Sequence, residues 1–352
     1  MKEGYLEMSE AVLNIGIVGA GENTIKKHIP GFQAMNQVRL LGVCNRTRES
    51  SAKVASRFGI KRIYNNWLEL VTDPDIDAVL IGTWPYLHSP ITLTAIAQEK
   101  HVLCEARMAM DVIEARQMFE ASQLKPHLVC QIVPSPLTLN VDKTICRLIE
   151  TGFLGDILAI EIEDGNTFVD SDSFLHWRQD RAFSGHNIMS LGIWYEAVMR
   201  WVGEADRVMA MGHTFVKMRK DPDSGFYKSV QIPDHMDVLA RMTCGAQARI
   251  RISQVTGLAG PARAVLYGSE GTLRFQENKL FGAKKDDEKL QELPIAADDQ
   301  AEWRVEASFI NAIRGLETVT LTTFADGVRY MRFTDAVVQS MAQGREVALD
   351  EI

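Results

Sequence analysis

Residues 15–24, IGIVGAGENT, constrain this chain more than any other stretch. Ile15, Ile17 and Val18 suit a buried parallel strand. Gly19 permits the tight turn after it, and Gly21 lets backbone N–H groups approach a pyrophosphate at the positive end of a following helix. Glu22, Asn23 and Thr24 open that helix and are candidate cofactor contacts. Thr24 occupies the place of the third glycine of the usual pattern, where helix–strand packing needs a small residue. Strand, GxG turn and helix in that order read as the start of a dinucleotide-binding domain.

The rest of the chain extends this reading. At 352 residues there is room for about two domains, and 46% hydrophobic residues is ordinary for a globular protein. Strands are expected at residues 38–43, 78–81, 101–104 and 128–132, alternating with helices at 48–58, 89–98 and 111–122, the grammar of a doubly wound parallel sheet. From about Pro134 the pattern changes. A helix at 137–151, a strand at 157–163 and a helix at 187–201 precede strands at 207–215, 237–243, 246–255, 263–267 and 272–276. Two helices, near 302–314 and 324–341, follow. In ARIRISQV, Ala248, Ile250 and Ile252 share one face, which suits an antiparallel sheet covered on one side. The expected organisation is a Rossmann domain over 1–133 and a C-terminal α/β domain over 134–352 with a large open, mainly antiparallel sheet, whose final helices can pack back on the first domain.

A formal net charge of −8 argues against nucleic-acid and anionic-membrane partners. No apolar run reaches the roughly 18 residues of a spanning helix, and the polar, acidic start MKEGYLEMSE does not read as a secretory signal. Cys44, Cys104, Cys130, Cys146 and Cys244 are dispersed and odd in number, as free thiols in a reducing, cytoplasmic compartment would be. His176, His213 and His235 lack metal-ligand spacing, so no metal is expected.

Six landmarks in order, GAGENTIKKHIPGF, DPDIDAVLIGTWPYLH, EKHVLCEARMA, WRQDRAFSG, SLGIWYEAVMRWVG and YGSEGTL, make the chain resemble the glucose–fructose oxidoreductase/inositol dehydrogenase/MocA dehydrogenases over nearly its whole length. The resemblance implies a Rossmann domain and a C-terminal domain whose open sheet helps form the site and often mediates oligomers, here a homodimer or homotetramer. It also implies NAD(P)-linked chemistry on sugars, polyols or related polyhydroxylated small molecules. Glu105 would then support the nicotinamide end. Thr83 would contact its ribose, with His88 nearby, since residues 83–88 resemble the family's Thr-Pro-Asn-x-x-His segment. Trp84 and Tyr86 offer flat surfaces to a ring, and Trp177-Arg178 matches a pair near the family's substrate pocket. Arg178 can bind a carboxylate or hydroxyl, or pair with Asp170 or Asp180.

The departures are as informative. The family's Glu-Lys-Pro stands here as Glu105-Ala106-Arg107, so the substrate-facing lysine is absent. Without proline, a cis bond costs about 2.5–4 kcal/mol, and a trans bond is expected. Arg107 can place a cation there but cannot shuttle a proton. The family's Asp and His, one helical turn apart, are replaced by Ser190 and Trp194. His186, one turn earlier, falls on their face if the helix begins early enough, and it is the candidate proton relay. Trp177 and Trp194 together can form an aromatic wall. Tyr195 and Glu196 point about 100° and 200° away from Trp194. In the second strand, Asn45-Arg46, with Arg48 nearby, replaces the acid that would hold a ribose 2′-OH, which favours NADP over the alternative, NAD. Three functions fit: a dehydrogenase or reductase, a redox-neutral lyase or glycosidase using bound NAD, and a non-catalytic nucleotide sensor.

Overall fold

The computed structural model describes residues 11–352, and contacts divide the chain into two units. The expectation concerning MKEGYLEMSE lies outside the described residues. The first unit comprises residues up to Pro134 together with Arg304–Val328. Six strands, β1 (Leu13–Val18), β2 (Val38–Cys44), β3 (Arg62–Ile63), β4 (Ala78–Ile81), β5 (His101–Cys104) and β6 (Cys130–Ile132), form one parallel sheet in the order β3-β2-β1-β4-β5-β6. This is a doubly wound order that reverses at β1/β4, where such sheets bind ligands beyond their carboxyl ends. All four residues of β4 are buried, the continuous apolar signature of a strand covered on both faces.

Helices Arg48–Phe58, His88–Ala97 and Val112–Gln123 agree with the expected elements to within a residue or two. Thr47 caps the first, accepting from the Ser50 amide, and Gly59 ends it in a left-handed conformation, φ 70°. The short strand β3 and the helix Trp67–Val71 carry no marked periodicity and were not expected.

The second unit comprises Ser135–Trp303 and Arg329–Ile352. Its strands are β7 (Ile157–Asp164), β8 (Ala205–His213), β9 (Met218–Lys220), β10 (Tyr227–Ser229), β11 (His235–Met242), β12 (Gln247–Ser253), β13 (Arg263–Gly268), β14 (Gly271–Gln276), β15 (Lys279–Lys284), β16 (Gln291–Leu293) and β17 (Val347–Ala348). Nine of them build one sheet, β16-β15-β14-β13-β7-β12-β11-β8-β17. Every neighbouring pair is antiparallel except β7/β12. The strict alternation of burial along β11 marks a sheet with one covered face, and Ala248, Ile250 and Ile252 of β12 lie on it.

The helix expected over 187–201 begins later, at Leu191, and runs to Val202. Residues 185–190 form turns, with Met189 in the left-handed region at φ 44°. His186 therefore lies off the helix that carries Ser190 as its cap and Trp194 on its buried side.

Candidate functional site

The glycine turn of the first unit is built by three close approaches. Gly19 has φ 84°, and a Cβ there would meet the Gly82 and Thr83 backbone at 2.7 Å. Gly82, just after β4, is the reciprocal partner. Its Cβ would lie 2.3 Å from Gly19 O and from Thr24 Oγ1. The small residue needed for this contact is therefore supplied by Gly82, which leaves position 24 free to be threonine. Thr24 is buried, and its hydroxyl donates to Gly19 O at 3.2 Å. Gly21 differs: a Cβ there meets nothing nearer than Gly82 O at 3.8 Å. The Thr83 hydroxyl, buried beside this turn, has no partner among the described residues. An open glycine on a helix-leading turn with an orphaned hydroxyl beside it fits the pyrophosphate and ribose of a dinucleotide.

Asn45, at the end of β2, accepts the Ala20 amide on Oδ1 at 2.6 Å, while its own amide donates to Ser51 Oγ at 2.8 Å. That contact commits Oδ1 as an acceptor and leaves the Asn45 –NH₂ as a donor. Arg46 is exposed, and Arg48 donates to Asn65 Oδ1 at 2.6 Å. Glu22 is exposed and pairs with Lys26 at 2.5 Å, on the helix surface.

Asn23 and Glu105 belong to a cluster that sequence reasoning missed. The helical stretch after the glycines passes through a π turn, Thr24–His28, before continuing as Ile29–Gln33. The turn directs His28 inward, fully buried. Its Nε2 lies 3.0 Å from Glu105 Oε1 and its Nδ1 2.5 Å from Glu306 Oε1, and Asn23 Nδ2 donates to the same Glu105 oxygen. Burial works against the imidazolium, but hydrogen bonds and charge from Glu105 and Glu306 overcome it and raise the His28 pKa to about 9. Burial likewise opposes the Glu105 carboxylate, and His28 wins, holding its pKa below the usual range. Gly31 makes room, since a Cβ there would lie 2.8 Å from the Glu306 carboxyl group. The signal was present as a histidine next to Ile29 and one turn before Phe32, both apolar inward positions, but its partner Glu306 is 278 residues away.

Two expectations in this unit need correction. The Ala106–Arg107 peptide is cis, not trans; local contacts can override the general trans preference, and the Arg107 carbonyl here faces His88 Nδ1 at 2.8 Å. His88 is fully enclosed, its other nitrogen 3.0 Å from Thr83 O, and burial lowers its pKa. It braces the two loops from behind and offers a cofactor no surface. Trp84 opens the 3-10 turn Pro85–Leu87 and, like Tyr86 and Arg107, is half-buried.

In the second unit, Trp177 is half-buried with the Arg178 guanidinium 4.2 Å above its ring. His176 Nδ1 accepts the Arg178 amide at 3.2 Å. With Gln179, Met189 and Gln254, His176 and Arg178 line a cavity of about 280 Å³. Trp194 does not form an aromatic wall. It is 2% exposed, edge-on to Phe275, and its indole N–H donates to Asp164 Oδ2 at 2.8 Å. A ring on the buried side of an amphipathic helix cannot present its face to a ligand. Ser190 Oγ donates to the same oxygen at 2.6 Å. His186 is half-buried, and its Nδ1 lies 2.8 Å from Asp335 Oδ1. Tyr195 and Glu196 are structural: the tyrosine stacks on Phe333 and accepts the Ala205 amide, and Glu196 accepts the Ser135 amide and pairs with Arg200.

Residues 13–131 match the family described as an oxidoreductase family with an NAD-binding Rossmann fold, and residues 143–274 match the GFO/IDH/MocA C-terminal domain. The chain is 24% identical to levoglucosan dehydrogenase of Pseudarthrobacter phenanthrenivorans over 97% of its own length and 99% of that protein. It is 27% identical to an uncharacterized oxidoreductase of Rhizobium meliloti, spanning 57% of this chain and 59% of that one. A structure of levoglucosan dehydrogenase with NADH and levoglucosan shares the fold, with a TM-score of 0.84 at 22% identity over 96% of this chain and 99% of that one. Among the described residues no helix is long and apolar enough to cross a membrane. With both of its regions matched in order, and a fold shared end to end with a solved relative, the chain belongs to the GFO/IDH/MocA oxidoreductase family.

Proposed function

We propose that this protein is an NAD(P)-dependent dehydrogenase or reductase acting on a ring compound with neighbouring hydroxyl groups. The observation that carries the cofactor is the glycine turn: an open Gly21, a left-handed Gly19 seated on Gly82, and a Thr83 hydroxyl with no partner among the described residues. The substrate class is supported by relatives named for cyclic, hydroxylated compounds, levoglucosan dehydrogenase and trans-1,2-dihydrobenzene-1,2-diol dehydrogenase among them. When bound, a nicotinamide would supply the hydride acceptor or donor, while the protein positions the carbinol carbon and manages the hydroxyl proton.

NADP is the proposed cofactor, since the Asn45 –NH₂ and the exposed Arg46 offer donors to a 2′-phosphate where an acid would repel it. His186 is the proposed proton relay: the Asp335 carboxylate at 2.8 Å orients its ring. Thr83 and Glu105 serve the nicotinamide end, and Trp84, Arg107, Trp177 and Arg178 the substrate. A homo-oligomer is supported by Met209, Met211, Leu239 and Tyr267, all exposed on the sheet strands β8, β11 and β13. A cytoplasmic location is supported by five unbridged cysteines. The test is a panel of sugars, anhydro sugars and cyclic polyols with NAD⁺ and NADP⁺, following absorbance of the reduced nicotinamide. Dinucleotide binding without turnover of any panel member would refute the catalytic reading.

A further inference from the structure

Ser190 and Trp194 stand where the family's acid and histidine are absent, yet both point at a carboxylate. Ser190 Oγ and Trp194 Nε1 donate to one oxygen of Asp164, at 2.6 and 2.8 Å. Asp164 comes from another element, the last position of β7, in register with Ile252 of β12. The two-residue repeat puts it on the same side of the sheet as the buried Ile160 and Ile162. Its other oxygen, Oδ1, accepts from none of the described residues, and the residue is half-buried.

We propose that Asp164 is the carboxylate that binds a substrate hydroxyl in this protein, replacing from a strand the acid that the helix lacks. The proposal rests on the reading that the ligand is a ring polyol. An ionised carboxylate only accepts hydrogen bonds, and an indole N–H only donates. Trp194 therefore donates to one carboxylate oxygen only and leaves Oδ1 to accept from a ligand. The Ser190 hydroxyl, committed as a donor to Asp164, keeps lone pairs with which to accept. Two neighbouring hydroxyls on a ring match this pair: one donates to Asp164 Oδ1, the other to Ser190 Oγ. Holding the carboxylate in advance reduces the ordering cost of binding.

A cavity lined by residues adjacent in sequence to Ser190 and close to Ile252 has room for a ring of that kind, although Asp164 and Ser190 themselves are not among its lining. Met189, adjacent to Ser190, and Gln254, two residues beyond Ile252, line the 280 Å³ cavity with His176 and Arg178. Its volume is near the lower end for small-molecule pockets, room for a single sugar-sized ring. The His176 Nδ1 accepts a backbone amide, so its proton resides on Nε2, a further donor for a ring oxygen.

The test uses the full chain labelled with ¹⁵N at tryptophan, saturated with NADPH, and titrated with levoglucosan, 1,5-anhydroglucitol and myo-inositol. The Trp194 indole resonance is the one that moves in Asp164→Asn, and the other five tryptophans report whether the fold is kept. We expect at least one polyol to shift the Trp194 resonance, and Asp164→Asn to weaken that polyol roughly tenfold to a hundredfold while NADPH affinity stays the same. If Asp164→Asn does not fold, Ser190→Ala provides the second variant, expected to weaken the polyol several-fold and leave the Trp194 resonance responsive. Equal polyol affinity in wild type and variant overturns the proposal alone. If NADPH binds and no polyol moves any resonance, the substrate class falls and the proposal falls with it.

Discussion

Replacing His28 by glutamine should convert a stabilising buried cluster into two buried carboxylates with no cation. The glutamine amide can still donate to one carboxylate, so the change removes chiefly the charge and one hydrogen bond. His28 is enclosed between Glu105 at 3.0 Å and Glu306 at 2.5 Å. A pKa raised from 6.5 to about 9 corresponds to about 3 kcal/mol of preference for the protonated ring in the folded state. Truncating one partner of a buried pair typically costs about 3–5 kcal/mol, because the charge left behind is uncompensated. The two routes agree in size.

The pH dependence gives the prediction its edge. A folded pKa above the unfolded value means that the His28 contribution is complete below pH 6.5 and is lost as pH rises through about 9. The Glu105 contribution, with its folded pKa depressed, is present above its unfolded value and is lost as pH falls through the folded one. Urea unfolding at pH 6.5, 8 and 9.5 should therefore show a gap of about 3 kcal/mol or more between wild type and His28→Gln at pH 6.5, closing towards pH 9.5. The ring itself should titrate near 9 by NMR, and lower in Glu306→Gln. Parallel stability profiles for wild type and variant, or a His28 ring titrating at or below 6.5, would refute the reasoning.

Gly21→Val should abolish dinucleotide binding by calorimetry with little loss of stability, because its Cβ direction is open in the protein itself and only a ligand is displaced. Gly82→Ala should do the opposite, lowering the melting temperature markedly, since its Cβ would overlap Gly19 O and Thr24 Oγ1 at 2.3 Å. Arg46→Ala should weaken NADPH far more than NADH. A wild type that binds NADH at least tenfold more tightly, about 1.4 kcal/mol, contradicts the NADP assignment. His186→Ala should lower kcat by roughly 10²- to 10⁴-fold on any substrate found, with dinucleotide affinity unchanged. Unchanged kcat removes the relay.

The parallel sheet was legible because its strands are buried on both faces and read as unbroken apolar runs. In the second unit β11 and β12 declared themselves by alternation, whereas β9, β10 and β16 are largely exposed strands of three residues, too short to imprint a period. The family's vacant positions, Ala106, Ser190 and Trp194, were also visible, because a resemblance is read column by column. The long-range partners of the buried polar groups were not, and the reason is the same in both units. Glu306 reaches His28 across 278 residues and Asp164 reaches Trp194 across 30, each from an element whose own pattern explains it as an ordinary polar position. Glu306 sits in the first turn of a helix, where an acid is expected on dipole grounds, and Asp164 ends a strand, where an acid reads as a turn signal. Each has a sufficient local explanation, and only the tertiary contact reveals the second role. Aspartates and glutamates at element ends are therefore the residues from which a chain lacking its family's usual acid can supply a replacement, because they are already tolerated there and need only a donor brought to them. Ser190 and Trp194 are such donors, a hydroxyl and an indole N–H that both meet one oxygen of Asp164.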